Sequence, residues 1–182
     1  GNPIQFGSQF EEGIVRIAKE LSTDASRVVA TVTEFLSGNT VNVIPTTGSL
    51  RGTVRTVSVG QREQLHLLMR SLSEELMAKL GLSAQLTITE GYPAVVSDQK
   101  FIDSFLTTAE LNGYSSKLVE MNEPSMVIED YSYFLQKWPG AMVYVGAAVG
   151  DKPSFNHSAS AKFSEQAMDT AFGLFRMLAP TA

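Results

Sequence analysis

Leu50-Arg51-Gly52-Thr53-Val54-Arg55-Thr56 decides the fold class. Leu50, Gly52, Val54 and Thr56 alternate with Arg51, Thr53 and Arg55, so one face packs and the other meets solvent. A period of two is the signature of a half-buried strand. Upstream, Val28 to Leu36 is rich in β-branched residues and is bounded by Ser37-Gly38-Asn39, a strand followed by a turn. Val41 to Ile44 resumes extended structure, with Pro45 limiting its pairing. Before these, Phe10, Ile14, Ile17, Ala18 and Leu21 recur at helical spacing, which predicts an amphipathic helix over 8–21. After them, Leu65, Leu68, Met69, Leu72, Leu76 and Leu80 predict a second helix, ended by Gly81 as its C-cap. Ala84, Leu86 and Ile88 alternate in a further strand. The expected order is α-β-β-α-β.

A boundary is expected between Tyr92 and Asp98, where Pro93 and the helix-start pair Ser97-Asp98 fall together. Phe101, Ile102, Phe105 and Leu106 predict a helix that stops at Asn112-Gly113. A short strand is expected over Lys117 to Met121 and a short helix over Asp130 to Lys137. The apolar run Met142 to Ala148 reads as a strand buried on both faces. Ser164 is the expected N-cap of a last helix whose Met168, Ala171, Phe172 and Phe175 face a core.

Composition narrows the function. The chain has 182 residues, 43% of them hydrophobic, a net charge of -5 and no cysteine. Lys and Arg are scattered and the balance is acidic, which argues against a nucleic-acid partner. No apolar stretch reaches the length of a membrane span. Without cysteine there are no disulfides and no thiolate metal sites, which fits a cytoplasmic setting. No Ser-His-Asp order, phosphate loop or metal-spaced pair appears. Of the two histidines, His66 reads as a surface residue of the second helix. His157 lies in a polar loop between a strand and a helix, where α/β folds place their sites. The residues alone leave His157 open as either a hydrogen-bonded structural group or a ligand. A single histidine does not close a zinc site, which takes three or four ligands. Glu129-Asp130 is an acid pair at a helix start, where the helix dipole favours negative charge.

A resemblance goes further. Gly38-Asn39-Thr40-Val41-Asn42-Val43-Ile44-Pro45, Gly52-Thr53-Val54-Arg55-Thr56, Gly91-Tyr92-Pro93-Ala94-Val95-Val96, Glu129-Asp130-Tyr131-Ser132 and His157 occur in one order. Together they resemble the C-terminal half of the zinc aminoacylase, hippurate hydrolase and carboxypeptidase G family. The resemblance implies an α/β (α+β) fold in two parts. Residues 1–95 would form a ferredoxin-like lid or dimerisation domain lacking its first strand. Residues 96–182 would form the C-terminal portion of a catalytic domain. It implies hydrolysis of N-acyl amino acids or short peptides with a divalent metal, zinc in the first instance, in the complete enzyme.

The implied roles follow residue by residue. His157 falls where the family's last zinc-ligand histidine stands. Asn42 and Arg55, thirteen positions apart as in the family, would hold the substrate's carboxylate or carbonyl. Glu129 would support the metal site. Without the family, Asn42 reads as a turn-shaping residue and Arg55 as a solvated cation. Four features depart from the pattern: the lid's first strand is missing, Ser158 follows His157 where Asn is common, and two more bear on the metal site. Met126-Val127-Ile128 stands where small residues usually precede Glu-Asp, and the family's other metal ligands and general base have no counterpart here. The expectations are therefore a metal-free and inactive chain on its own, or a degenerate relative serving dimerisation or ligand binding. Homodimerisation, or pairing with the missing half, would cover the slot left by the absent lid strand. Alternatively residues 1–7 would fill that slot, or the sheet would close up.

Overall fold

The computed structural model describes residues 1–179. The chain divides into two compact units: Gly1–Ala94 with Met121–Ile128, and Val95–Glu120 with the residues from Glu129 onward.

In the first unit, α1 runs Pro3–Leu21, β1 Val28–Ser37, β2 Gly48–Thr56 and α2 Val59–Leu80. Helix α1 begins five residues before the expected start. Asn2 caps it, its Oδ1 accepting from the Ile4 N–H at 3.0 Å, and Pro3 occupies the first turn. That position suits proline, whose missing N–H has no helical partner there anyway. β1 and β2 pair antiparallel, Val28 opposite Thr56 and Arg55 opposite Val29. The register shifts between Val32 and Glu34. One extra residue on one strand is a bulge, which raises local twist. Helix α2 ends at Gly81, whose φ of 61° is the left-handed conformation that glycine adopts without a Cβ penalty.

The core lies between the helices and one face of this two-stranded sheet. Phe6, Phe10, Ile14 and Ile17 of α1 meet Val28 and Ala30 of β1 and Leu65, Met69 and Leu76 of α2. Leu65 is fully buried. The alternation read in the sequence therefore sorts the strands as expected: Val28, Ala30 and Val54 turn toward the helices, leaving Val29, Thr31, Thr53 and Arg55 on the other face.

Three expectations fail in this unit. Val41 to Ile44 is a bent loop, with Val43 and Ile44 about two-thirds exposed. His66 is half-buried rather than a surface residue. Most instructive is 82–88. Burial alternates along it, Leu82, Ala84, Leu86 and Ile88 half-buried between exposed neighbours, yet it belongs to no sheet. Among the described residues, Gln85 to Glu90 make no recorded hydrogen bond. Between this segment and Thr46 to Leu50 lies a cleft of about 670 Å³, with Phe6 and Phe10 also lining it. Residues 1–7 do not fill it as a strand, since Pro3 already starts α1, and the sheet has not closed up. The side chains obey the strand period because the core selects them; the ladder is missing because, among the described residues, no strand pairs with this segment.

In the second unit, α3 spans Gln99–Leu111, α4 Ser132–Leu135 and α5 Gln166–Leu178, with a 3₁₀ turn at Ser115–Lys117. Asp98 caps α3 as expected, accepting from the Phe101 N–H at 2.8 Å. Helix α3 packs against α5. The strand expected over Lys117 to Met121 is absent, as is the one over Met142 to Ala148, where Val143 and Tyr144 are about half exposed. The short helix is confined to Ser132–Leu135, narrower than Asp130 to Lys137. Glu165, not Ser164, occupies the cap of α5. Nor do Met168, Phe172 and Phe175 face a core; each is about two-thirds exposed or more. The apolar stripe is real but stays largely exposed among the described residues, with the Arg176 guanidinium lying 5.9 Å from the Phe172 ring centre. No helix is long and apolar enough to cross a membrane among the described residues.

Candidate functional site

Arg55 is the best-defined of the expected site residues. It stands near the end of β2 on the face turned away from the helices, directly across from Val29. Its side chain is partly buried and its Nη1 donates to the Met126 carbonyl oxygen at 2.7 Å. Met126 belongs to Met121–Ile128, a segment counted with the first unit although the chain reaches it only after leaving that unit at Ala94. A second contact holds the same segment: Arg27 Nη1 lies 3.3 Å from Glu123 Oε2. That pair is exposed, so it contributes little by itself. The Arg55 bond is stronger in kind, because its donor is charged.

A guanidinium carries five N–H donors in a rigid planar fork. Only one bond from Arg55 is recorded among the described residues. The remaining donors can receive a planar anion such as a carboxylate. Asn42, the expected companion of Arg55, is exposed in the bent loop between β1 and β2, and no contact with Arg55 is recorded.

The remaining expected residues lie in the second unit. Glu129 is half-buried, and its carbonyl accepts from the Ser132 N–H and hydroxyl, at 3.2 and 2.8 Å. It thus initiates the short α4, and Ser132 beside it is fully buried. His157 is exposed in the loop before α5. No group of three or more His, Cys, Asp or Glu side chains is placed to hold a metal ion among the described residues. One exposed imidazole and one half-buried carboxylate do not fit a zinc ion, which needs three or four ligands.

The Arg55–Met126 contact has no signal in the sequence. The partners are 71 positions apart, and the acceptor is a backbone carbonyl, which every residue possesses. What the sequence does mark is the bulk at Met126-Val127-Ile128, read above as a departure.

Residues 7–180 match the model of "Peptidase family M20/M25/M40". Among curated relatives, N-acetyldiaminopimelate deacetylase of Bacillus licheniformis is 26% identical over 171 residues, covering 88% of this chain and 44% of the relative. N-acetylcysteine deacetylase of Bacillus subtilis is 26% identical over 178 residues, covering 98% and 45%. Among solved structures, the Bacillus subtilis YXEP protein, described as a dinuclear metal binding peptidase of the M20 family, is 25% identical with a TM-score of 0.77. That match covers 97% of this chain and 45% of the other. The chain thus spans a little under half the length of these relatives. With the family match running through both compact units, the chain belongs to peptidase family M20/M25/M40.

Proposed function

We propose that this chain is part of an amidohydrolase that cleaves N-acyl amino acids, with Arg55 receiving the substrate's free carboxylate. The observation that carries the reading is the partly buried Arg55 on the face of β2 turned away from the helices, with one recorded bond among the described residues and donors to spare. The names of two relatives describe removal of an acetyl group from an amino acid. Such a substrate offers a fixed carboxylate next to the scissile amide, and a planar fork matches it with two parallel hydrogen bonds. Asn42 would bind the same end of the substrate from the loop between β1 and β2. His157 would contribute one imidazole to a metal site whose other ligands come from further polypeptide, with Glu129 in support.

The test joins the chain to an N-terminal half of the kind its relatives possess and supplies a divalent metal. Release of free amino acid from N-acetyl amino acids, measured by chromatography, is expected. A second reading, a non-catalytic ligand-binding or dimerisation module, is favoured by the bulk of Met126-Val127-Ile128 before Glu129. Binding without release would support it, and neither binding nor release would sink both.

The chain should also associate. Beside the open cleft, Gln85 to Glu90 make no hydrogen bond among the described residues, and such an edge is a template for pairing. Sedimentation should show a homodimer, or a complex with the added N-terminal half, and amides of Gln85 to Glu90 should then exchange slowly. A strict monomer at every concentration, with those amides unprotected, would contradict this.

A further inference from the structure

The segment Met121–Ile128 belongs with the first unit although the residues on either side of it do not. It forms no helix or strand, so regular backbone pairing does not hold it. Two hydrogen bonds are recorded for it among the described residues, and both donors are arginines. Arg27 Nη1 donates to Glu123 Oε2 at 3.3 Å, and Arg55 Nη1 donates to the Met126 carbonyl oxygen at 2.7 Å. Glu123 also lines a cleft of about 730 Å³ together with Lys19 of α1 and Val28 and Val29 of β1.

The two arginines sit on one face at one end of the sheet. Val29 pairs with Arg55, and Arg27 comes two positions before Val29, so the period of two puts all three on the side away from the helices. A diagonal pair of this kind is about 7–8 Å apart. Residues 123 and 126 are three positions apart and span at most about 11 Å. One short stretch of chain therefore reaches both arginines. Pro124 lies between the anchors. Its ring fixes its own φ and biases Glu123 toward extended backbone, which reduces the freedom lost on docking.

Neither anchor suffices alone. An exposed ion pair is weak, and a single hydrogen bond must offset the ordering of several residues. Together they make a two-point attachment: once one anchor forms, the other is an intramolecular step at high effective concentration. We propose that Glu123 is a positioning residue that, through Arg27, clips this strap to the sheet and thereby fixes the Arg55 guanidinium. Held at Nη1 by Met126 and at its stem by β2, the fork keeps Nε and Nη2 as one planar edge for a carboxylate and loses less freedom on binding it. The positioning role rests on the reading of Arg55 as the carboxylate receptor; the clip does not.

The test uses the 182-residue chain and NMR, with backbone order parameters for residues 121–128 and titration by N-acetylglycine. In the unaltered chain these amides should be as ordered as those of β2. Glu123→Gln should lower their order and weaken N-acetylglycine about twofold to fivefold, the range of an exposed pair. Exchanging the charges, Arg27→Glu with Glu123→Arg, should restore both. Unchanged order in Glu123→Gln, or no recovery on exchange, would overturn the clip. Lower order with unchanged affinity, while Arg55→Ala abolishes binding, would keep the receptor and overturn the positioning role. Binding indifferent to Arg55→Ala, or none at all, would overturn the receptor and the positioning role with it.

Discussion

Purified alone and equilibrated with zinc, the 182-residue chain should emerge from gel filtration with far less than one zinc per chain, and should release no amino acid from N-acetyl substrates. Zinc is held chiefly by imidazole, thiolate and carboxylate, and this chain offers two histidines and no cysteine. His157 is exposed on its loop, and no three candidate ligands gather among the described residues. A carboxylate beside a lone imidazole binds zinc weakly, because each missing ligand is replaced by water and no chelate is closed. Elemental analysis of the eluted protein reads the outcome directly. A tightly held, stoichiometric metal would show that side chains converge in solution as they do not here. Loss of that metal in His157→Ala would then identify one ligand.

Arg55→Ala, made in the chain joined to an N-terminal half, should separate two substrate classes. Free-acid N-acyl amino acids should lose about a hundredfold in kcat/KM, from a charge-assisted contact of roughly 2–3 kcal/mol. Amide-capped analogues, which offer no carboxylate, should change little. The comparison matters because Arg55 also holds the Met126 carbonyl. Losing that structural bond would weaken both classes alike, so equal losses would assign Arg55 to positioning the 121–128 segment only. Arg55→Lys should recover part of the free-acid activity, since lysine keeps the charge but not the fork.

Helices and turns were legible from the chain itself. The 3.6-residue stripe of α1, the left-handed glycine closing α2 and the Asp98 cap of α3 are local. Each depends on residues within a few positions, so the sequence carries the whole cause. The alternation of Leu50 to Thr56 was legible for the same reason, and by itself it assigns Arg55 to the polar face. Candidate site residues came from ordered motifs rather than from spacing. A motif names a residue type in a place, but it does not bring His157, Glu129 and further ligands together.

Tertiary structure decided the rest, because pairing needs a second partner that no local pattern supplies. Residues 82–88 keep a strand's alternation without a ladder, and Met142 to Ala148 stays half exposed without one. Periodicity reports which side chains seek burial; it is silent on whether another backbone lies alongside. The face of α5 bearing Met168, Phe172 and Phe175 is the same case for a helix, amphipathic by sequence and about two-thirds exposed or more. Arg55 gains its partner, a carbonyl oxygen, from a residue 71 positions away. The sequence by itself determined what each segment could become. The tertiary structure decided which segments found a partner, since hydrogen-bonded pairing and burial are properties of two surfaces, not of one.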